Sequence, residues 1–369
     1  MPKEIRTADR IFLLLCFTLL IFGLIMLSSA SAPAGYAKFG DTYYFIKKQI
    51  FFGFLPGLFL FMLFGHLNYN FLKKISPLIY LFSLLALILV FVPGIGLVIN
   101  GSRSWLSIFS YTFQPSELAK LATIMMCARL LANRENLQDW KNGLLPIIIM
   151  IAPAVILIVI QPDIGTLSIL LVTIFVMLYL GGAKKTHLLV LGLLGAVGLA
   201  SLLLITPYRV QRLTTFLHPE LDPKGIGYQI NQAYLAIGSG GLWGLGLGHS
   251  RQKFQYLPEV QADSIFAVIA EELGFIVLLG VVFLITFITI RGLKIAQGAE
   301  DGFARLLVSG IMIWFVWQSF LNIGSIIGLL PLTGVPLPFI SHGGSALLVI
   351  LAAFGMVANV SKNSKIKSV

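Results

Sequence analysis

Apolar runs of about 20 residues recur along almost the whole of this 369-residue chain, and that repetition leaves little for it to fold into except a bundle in lipid. A helix needs about 20 apolar residues to cross the roughly 30 Å hydrocarbon layer. Runs of that kind occupy residues 10–31, 44–66, 75–93, 114–133, 143–160, 164–181, 187–206, 263–290, 304–329 and 344–361. Lipid offers no partner to a backbone amide, so each run must satisfy its own hydrogen bonds and is read as a helix. The chain is 57% hydrophobic and 11% charged, with a mean hydropathy of +0.93, whereas soluble domains carry about a quarter charged residues. No stretch reads as a separate water-soluble domain. The expected fold is all-α and polytopic, with about ten transmembrane helices in one domain over residues 1–369.

At the N-terminus, Lys3, Arg6 and Arg10 precede the apolar run from Ile11 to Leu27 and then Ala30-Ser31-Ala32, an arrangement that imitates a cleavable signal. The run is long for such a signal and leads into further apolar spans, so it is read as an uncleaved first helix. With the N-terminus inside, the outer segments hold Lys38, Lys47, Lys48, Arg103, Arg209, Arg212, Lys224, Arg251 and Lys253, and Lys120 falls inside a span. The other sixteen of the 26 cations are then cytoplasmic. Cytoplasmic loops retain Lys and Arg, so this asymmetry predicts both termini inside and an even number of spans. The net charge of +11 is therefore a topology signal and not a nucleic-acid footprint. Two outer segments are long enough to carry chemistry: 94–113, with Arg103 and Trp105, and 207–262, between the seventh and eighth spans and rich in Gly, Tyr and Trp.

Some chemistries are disfavoured. Cys16 and Cys127 lie in apolar runs, where a thiol packs as a small hydrophobe. The five histidines have no metal-ligand spacing. Gly244-Leu-Gly246-Leu-Gly248 follows no strand and no GxxxxGK[ST] occurs, which argues against a nucleotide site. Those glycines suit a backbone that bends and packs close to helices.

Charged residues inside spans cost about 2.5–3.5 kcal/mol each on insertion scales and need a reason. Glu117 and Lys120, three apart, share a helix face and can form an ion pair. Glu271 and Glu272 cannot point the same way, so at least one meets a polar cavity or a partner helix. Asp263, at the mouth of the eighth span, is suited to cap that helix. Ala267, Ala270 and Gly274 share its face, which either leaves a groove below the carboxylate or serves close helix packing.

Several blocks together resemble the SEDS proteins (shape, elongation, division and sporulation), the family that includes FtsW and RodA. They are Asn100-Gly-Ser-Arg103-Ser-Trp105, Gln114-Pro-Ser-Glu117-Leu-Ala-Lys120, Gln161-Pro-Asp163-Ile-Gly-Thr166, Leu257-Pro-Glu259 with Asp263, Glu271-Glu272-Leu-Gly274-Phe275, and Asn322-Ile-Gly324 followed by Leu330 to Ser345. The resemblance implies ten transmembrane helices and polymerisation of lipid II into β-1,4 glycan strands outside the cytoplasmic membrane, with release of undecaprenyl pyrophosphate. It implies Asp263 as the essential carboxylate, a base for the attacking sugar hydroxyl. Arg103, Trp105, Gln114, Glu117, Lys120, Gln161, Asp163, Arg209, Lys253, Glu259, Ser341 and Ser345 are the polar residues expected to bind substrate. Leaving-group charge would be met either by outer arginines or, as the resemblance implies, by a divalent cation, Mg2+ or Mn2+, as cofactor, and a class B penicillin-binding transpeptidase within the division or elongation complex is implied as partner. The stretch Gly244 to Glu259 looks more like the division branch. Two departures stand out: Gln261-Ala-Asp263-Ser264 where the family has His-Thr-Asp-Phe, and His342 where Tyr is commoner. Rival readings are a lipid II flippase, since transporters also carry intramembrane charges, and a scaffold for another synthase.

Overall fold

The computed structural model describes residues 7–99, 102–108, 111–133, 136–205, 207–222 and 225–364. Helix α1 covers Arg10–Phe39. Helix α2, Tyr44–Gln49, passes through a wider π-helical stretch into α3, Leu55–His66, and α4 covers Tyr69–Leu89. After a small sheet come α5, Pro115–Ala132; α6, Leu145–Ile160; α7, Ile164–Leu180; and α8, Lys185–Ile205. Helices α9, Pro207–Leu217, and α10, Ile226–Gly240, precede the long α11, Ile265–Gln297, and then α12, Gly302–Ile326, and α13, Gly344–Ser361. Each apolar run expected to span lies on one of these helices or on the continuous α2–α3 stretch. Eight of the described spans are long and apolar enough to cross a membrane. Of the other two helices that fall on apolar runs, α5 carries Glu117, Lys120 and Arg129, and α7 has 17 residues.

Helices α12 and α13 form the centre, with 72% and 78% of their apolar windows buried, whereas α8 stands at the periphery with 6%. Helix α13 packs against α3 so closely that a side chain at Gly355 would strike the backbone of Phe61. At one end of the bundle, Asp9 caps α1 by accepting from Phe12 N at 2.8 Å. Its carboxylate also pairs with Arg291 of α11 at 2.6 Å, and its N–H donates to Ser361 Oγ of α13. The start of α1 and the ends of α11 and α13 therefore meet on one face. Asp263 precedes the other end of α11.

The expected outer segments are more structured than the apolar pattern could indicate. Within 94–113, strands β1 (Gly96–Ile99), β2 (Ser102–Ile108) and β3 (Tyr111–Phe113) form an antiparallel sheet in which Leu97 faces Trp105 and Leu106 faces Phe113. Val98, Trp105, Thr112 and Phe113 are β-branched or aromatic residues that favour strand pairing, but the strands are too short to register as a hydrophobic period. The 207–262 segment, expected to lack a full apolar span, holds α9, α10 and a tightly turned stretch from Gly241 to Ser264.

Helix α11 is broken at Gly274 (φ 78°, ψ 177°), a conformation essentially reserved for glycine. The break frees carbonyls before it and N–H groups after it. The Gly241–Gly246 stretch takes both: Leu245 N donates to Glu271 O and Gly246 N to Glu272 O, each at 2.9 Å, while Phe275 N donates to Gly241 O at 2.9 Å and Ile276 N to Leu242 O at 3.3 Å. Gly274 and Gly244 lie back to back, so a Cβ on either would hit the other strand's backbone. Gly240 likewise lies on the backbone of Ala270. Of the two readings of the Ala267, Ala270 and Gly274 face, close packing holds at Ala270 and Gly274. Gly274→Ala is expected to cost at least about 1–3 kcal/mol from backbone strain alone. Thermal unfolding of the detergent-solubilised variant measures it, and an unchanged midpoint would contradict the account.

Candidate active site

Six hydrogen bonds hold the turn that presents Asp263. Ala262 N and Ser264 N both donate to Glu259 O, at 3.0 and 3.3 Å, which closes the turn from a residue with φ of +49°. Ser341 Oγ donates to Ala262 O at 2.6 Å, and His342 N donates to Gln261 O at 2.7 Å. Asn322 Nδ2 donates to Asp263 O at 3.1 Å, and Gln229 Nε2 of α10 donates to Ser264 Oγ at 3.0 Å. The N-cap of α11 is Ser264, not Asp263. The capping role expected for Asp263 is thus absent: its carboxylate accepts no hydrogen bond from any described residue.

Opposite Asp263 runs the Leu330–Ser341 chain. Its prolines at 331, 336 and 338 bring no N–H to a regular ladder, so its carbonyls are held by side chains instead. Arg212 Nη1 donates to Leu332 O at 3.2 Å, Asn322 Nδ2 to Val335 O at 2.8 Å and Gln318 Nε2 to Pro336 O at 2.9 Å. Gly334 (φ +72°) faces the carboxylate, and a Cβ there would lie 3.6 Å from Asp263 Oδ2. A bare backbone therefore forms that wall of the site.

The electrostatics suit a base. Burial, then the charge of Glu259, push the Asp263 pKa up to about 6, and Arg212 pulls against both. His342 is held down at about 4 by burial and by Lys48, so its ring is neutral at physiological pH.

The other expected residues form separate groups around this centre. Glu117 and Lys120 make a fully buried ion pair at 2.8 Å, and Lys120 Nζ also donates to Gln318 Oε1 at 2.7 Å. Trp314 Nε1 donates to the same oxygen, and the Lys120 ammonium lies 5.0 Å from the Trp314 ring centroid. Glu117 Oε2 is buried without a partner among the described residues. It borders a cavity of about 10 Å³ for the centre of a water-sized sphere, shared with Gln318 and Ser341, which is room for about one water. Gln114 Nε2 donates to Asp163 Oδ2 at 3.2 Å, while Asp163 caps α7 through Thr166 N and Thr166 Oγ1. Ser345 accepts from Gln114 N, fastening α13 to the start of α5. Gln161 Nε2 donates to Leu87 O, and its carbonyl accepts from Ser102 of β2. Arg103 and Trp105 lie half-buried on β2. Arg209 donates to Leu202 O at the end of α8. Lys253 is buried against Glu272 at 2.7 Å, with partners that do not include the Asp263 turn.

Glu259 and Ser341 thus join Asp263 directly, one through its field and one through the backbone. Arg212 was not among the residues expected to bind. Its signal was available in its spacing, since it follows Arg209 by one helical turn on the amphipathic α9.

A polytopic helical bundle with a recessed carboxylate, Asp263, just before a broken helix defines an integral membrane protein. Residues 9–366 match the FtsW, RodA and SpoVE family, described as cell cycle protein, and the chain belongs to that family. It is 40% identical over 366 residues to the stage V sporulation protein E of Bacillus subtilis (strain 168), covering 99% of this chain and 100% of the relative. It is 37% identical over 360 residues to a probable peptidoglycan glycosyltransferase FtsW of Geobacter sp. (strain M18), covering 97% and 98%. The fold matches the rod shape determining protein RodA of Thermus thermophilus with a TM-score of 0.72 and 29% identity, covering 98% of each chain. It also matches a chain from a structure of a peptidoglycan synthase complex that coordinates polymerization and crosslinking, with a TM-score of 0.77 and 28% identity over 96% and 97% of the two chains.

Lys120→Met leaves Glu117 as a buried unpaired charge and is expected to destabilise the protein by about 3–5 kcal/mol, with the double variant Glu117→Gln/Lys120→Met losing less. Unfolding of the three proteins in detergent checks the ordering, and a double variant no better than the single would refute it.

Proposed function

We propose that this chain is a peptidoglycan glycosyltransferase that polymerises lipid II into β-1,4-linked glycan at the outer face of the bacterial cytoplasmic membrane, releasing undecaprenyl pyrophosphate. The observation that carries the reading is Asp263: a carboxylate that accepts no hydrogen bond from any described residue, with a pKa pushed up to about 6, in a member of a family whose relatives include named probable glycosyltransferases. Ten spans with both termini cytoplasmic follow from the apolar runs and the cation asymmetry. Identities of 40% and 37% to sporulation and FtsW relatives, against 29% to RodA, support the division-like branch. The match to a synthase-complex chain supports a class B penicillin-binding transpeptidase as partner. The flippase and scaffold readings leave a base of this kind without a purpose.

In the reaction, the acceptor sugar hydroxyl attacks the anomeric carbon of the donor, whose bond to the diphosphate breaks with inversion. Asp263 accepts the hydroxyl proton, and its raised pKa places it near the optimum for a base at neutral pH. Arg212 lies where it can offset negative charge beside the carboxylate. Arg103, Trp105 and Arg209 belong to the outer segments available to sugar and diphosphate. Among the described residues no group of three or more His, Cys, Asp or Glu gathers for a metal. Mg2+ characteristically takes one or two carboxylates plus substrate phosphates, so Glu259 with the lipid diphosphate fits such an ion. When bound there it would neutralise leaving-group charge.

Purified protein given lipid II in detergent, with and without the transpeptidase, is expected to make glycan, and Asp263→Ala to make none. Polymerisation by Asp263→Ala at the parent rate would sink the assignment. A base must be deprotonated, so kcat/KM, which reports the free enzyme, should fall as pH drops through about 6. Arg212→Gln, which removes the cation that favours the carboxylate, should move that limb to higher pH. A pH–rate series on the two proteins reads the shift.

A further inference from the structure

We propose that Lys253, Glu272 and Ser29 form the rear anchor of a half-helix whose front end carries Asp263, which makes Glu272 and Lys253 positioning residues for the acid. The inference rests on the proposed role of Asp263.

The break at Gly274 cuts the segment Ile265–Leu273 away from the membrane-crossing remainder of α11. A rod of nine residues is about 13 Å long and moves as one piece. Its front is tied by Ser341, His342 N, Asn322 and Gln229, as described above. Continuous helix would ordinarily hold its rear, but here the hydrogen-bond ladder is interrupted. The rear is held instead by the Gly241–Lys253 stretch, through the backbone exchange at 241–246 and through two carboxylates.

Those carboxylates are fully engaged. Glu271 accepts from Ser250 Oγ at 2.5 Å, Arg251 N at 2.9 Å and Gln252 N at 3.3 Å. Glu272 accepts from Ser29 Oγ at 2.9 and 2.8 Å, from Ser250 N at 3.4 Å and from Lys253 Nζ at 2.7 Å. The Lys253 ammonium has three donors and spends them on Glu272, Gly248 O at 2.7 Å and Ser29 Oγ at 3.2 Å. No donor remains for a phosphate, and withdrawing the ammonium would strand a buried Glu272. Ser29 lies on α1, so the network ties the half-helix to an element outside the 241–297 region. A buried polar cluster of this kind specifies one geometry where apolar packing would accept several.

The geometry makes the anchor a lever. A small displacement at residues 271–272 tilts the rod about its front contacts and turns the Asp263 carboxylate away from the hydroxyl it serves. Misplacement by about 1 Å can cost on the order of 100-fold in rate. Full-length protein with its transpeptidase partner, assayed with lipid II, is expected to lose about 10–100-fold in kcat as Lys253→Met or Glu272→Gln, with KM within about threefold. Lys253→Arg, which keeps the charge, should retain most of kcat. Ser29→Ala, a mild change on a helix, should lower kcat several-fold and serves if the other variants do not fold. Hydrogen exchange of the 241–253 peptide is followed in parallel and should quicken in each impaired variant. Faster exchange with unchanged kcat would overturn the positioning role, and so would a loss confined to KM. Unchanged exchange and kcat in a folded Glu272→Gln would overturn the anchor itself. Should Asp263→Ala remain active, the acid assignment fails, while the exchange data still report on the anchor.

Discussion

In a bilayer a backbone amide cannot borrow a partner from solvent, so any interruption of a helix must be repaired by protein. The architecture around Asp263 follows from one such interruption. Gly274 opens α11, and the segment from Gly241 to Gly246 is shaped by having to fill the gap: Gly244 sits where a side chain would prevent two backbones from meeting. The same demand shapes the chain opposite. The prolines of Leu330–Ser341 cannot form a ladder, and the consequence is a set of buried polar side chains, Asn322 and Gln318 among them, whose task is to reach bare carbonyls. Asp263 lies between two irregular stretches of backbone, each secured by partners from the surrounding helices.

The intramembrane charges fit the same logic. Glu117 and Lys120 are tolerated because each meets a charge and because Gln318 and Trp314 extend the network to the Pro336 carbonyl. A position that looks like an isolated anomaly in α5 is thus one end of a chain of contacts that reaches the wall of the site. Glu271 and Glu272 share Ser250 and otherwise take different partners, and both brace the folded 248–253 segment.

Much of this was legible from residues alone, and the limits have physical causes. Apolar length is a local property, so the helices and their order were readable from the runs. The pairing of Glu117 with Lys120 is local as well, being three residues apart. The partners of Lys253 include Ser29, 224 residues away, and nothing in the spacing of an outer lysine announces a buried acceptor set. Asp263 looked like a cap because a carboxylate before an apolar run usually is one, but Ser264 takes that position and frees it. Arg212 was counted only as an outer cation, since its value lies in what it faces across the site. The three short strands left no periodic trace at all. The acid itself came from motif resemblance, with the fold explaining why the motif is spaced as it is.

The junction of Asp9, Arg291 and Ser361 has a consequence for biogenesis. Asp9 and Arg291 are 282 residues apart in the chain, and at 5–20 residues per second their synthesis is separated by roughly 15–60 s. Throughout that interval the first helix sits in the membrane with its capping carboxylate uncompensated. The final helix, which supplies Ser361, arrives later still. Closure of this junction is therefore a late event that reports the arrival of both distant partners, and a product truncated before Arg291 would leave Asp9 without its cation.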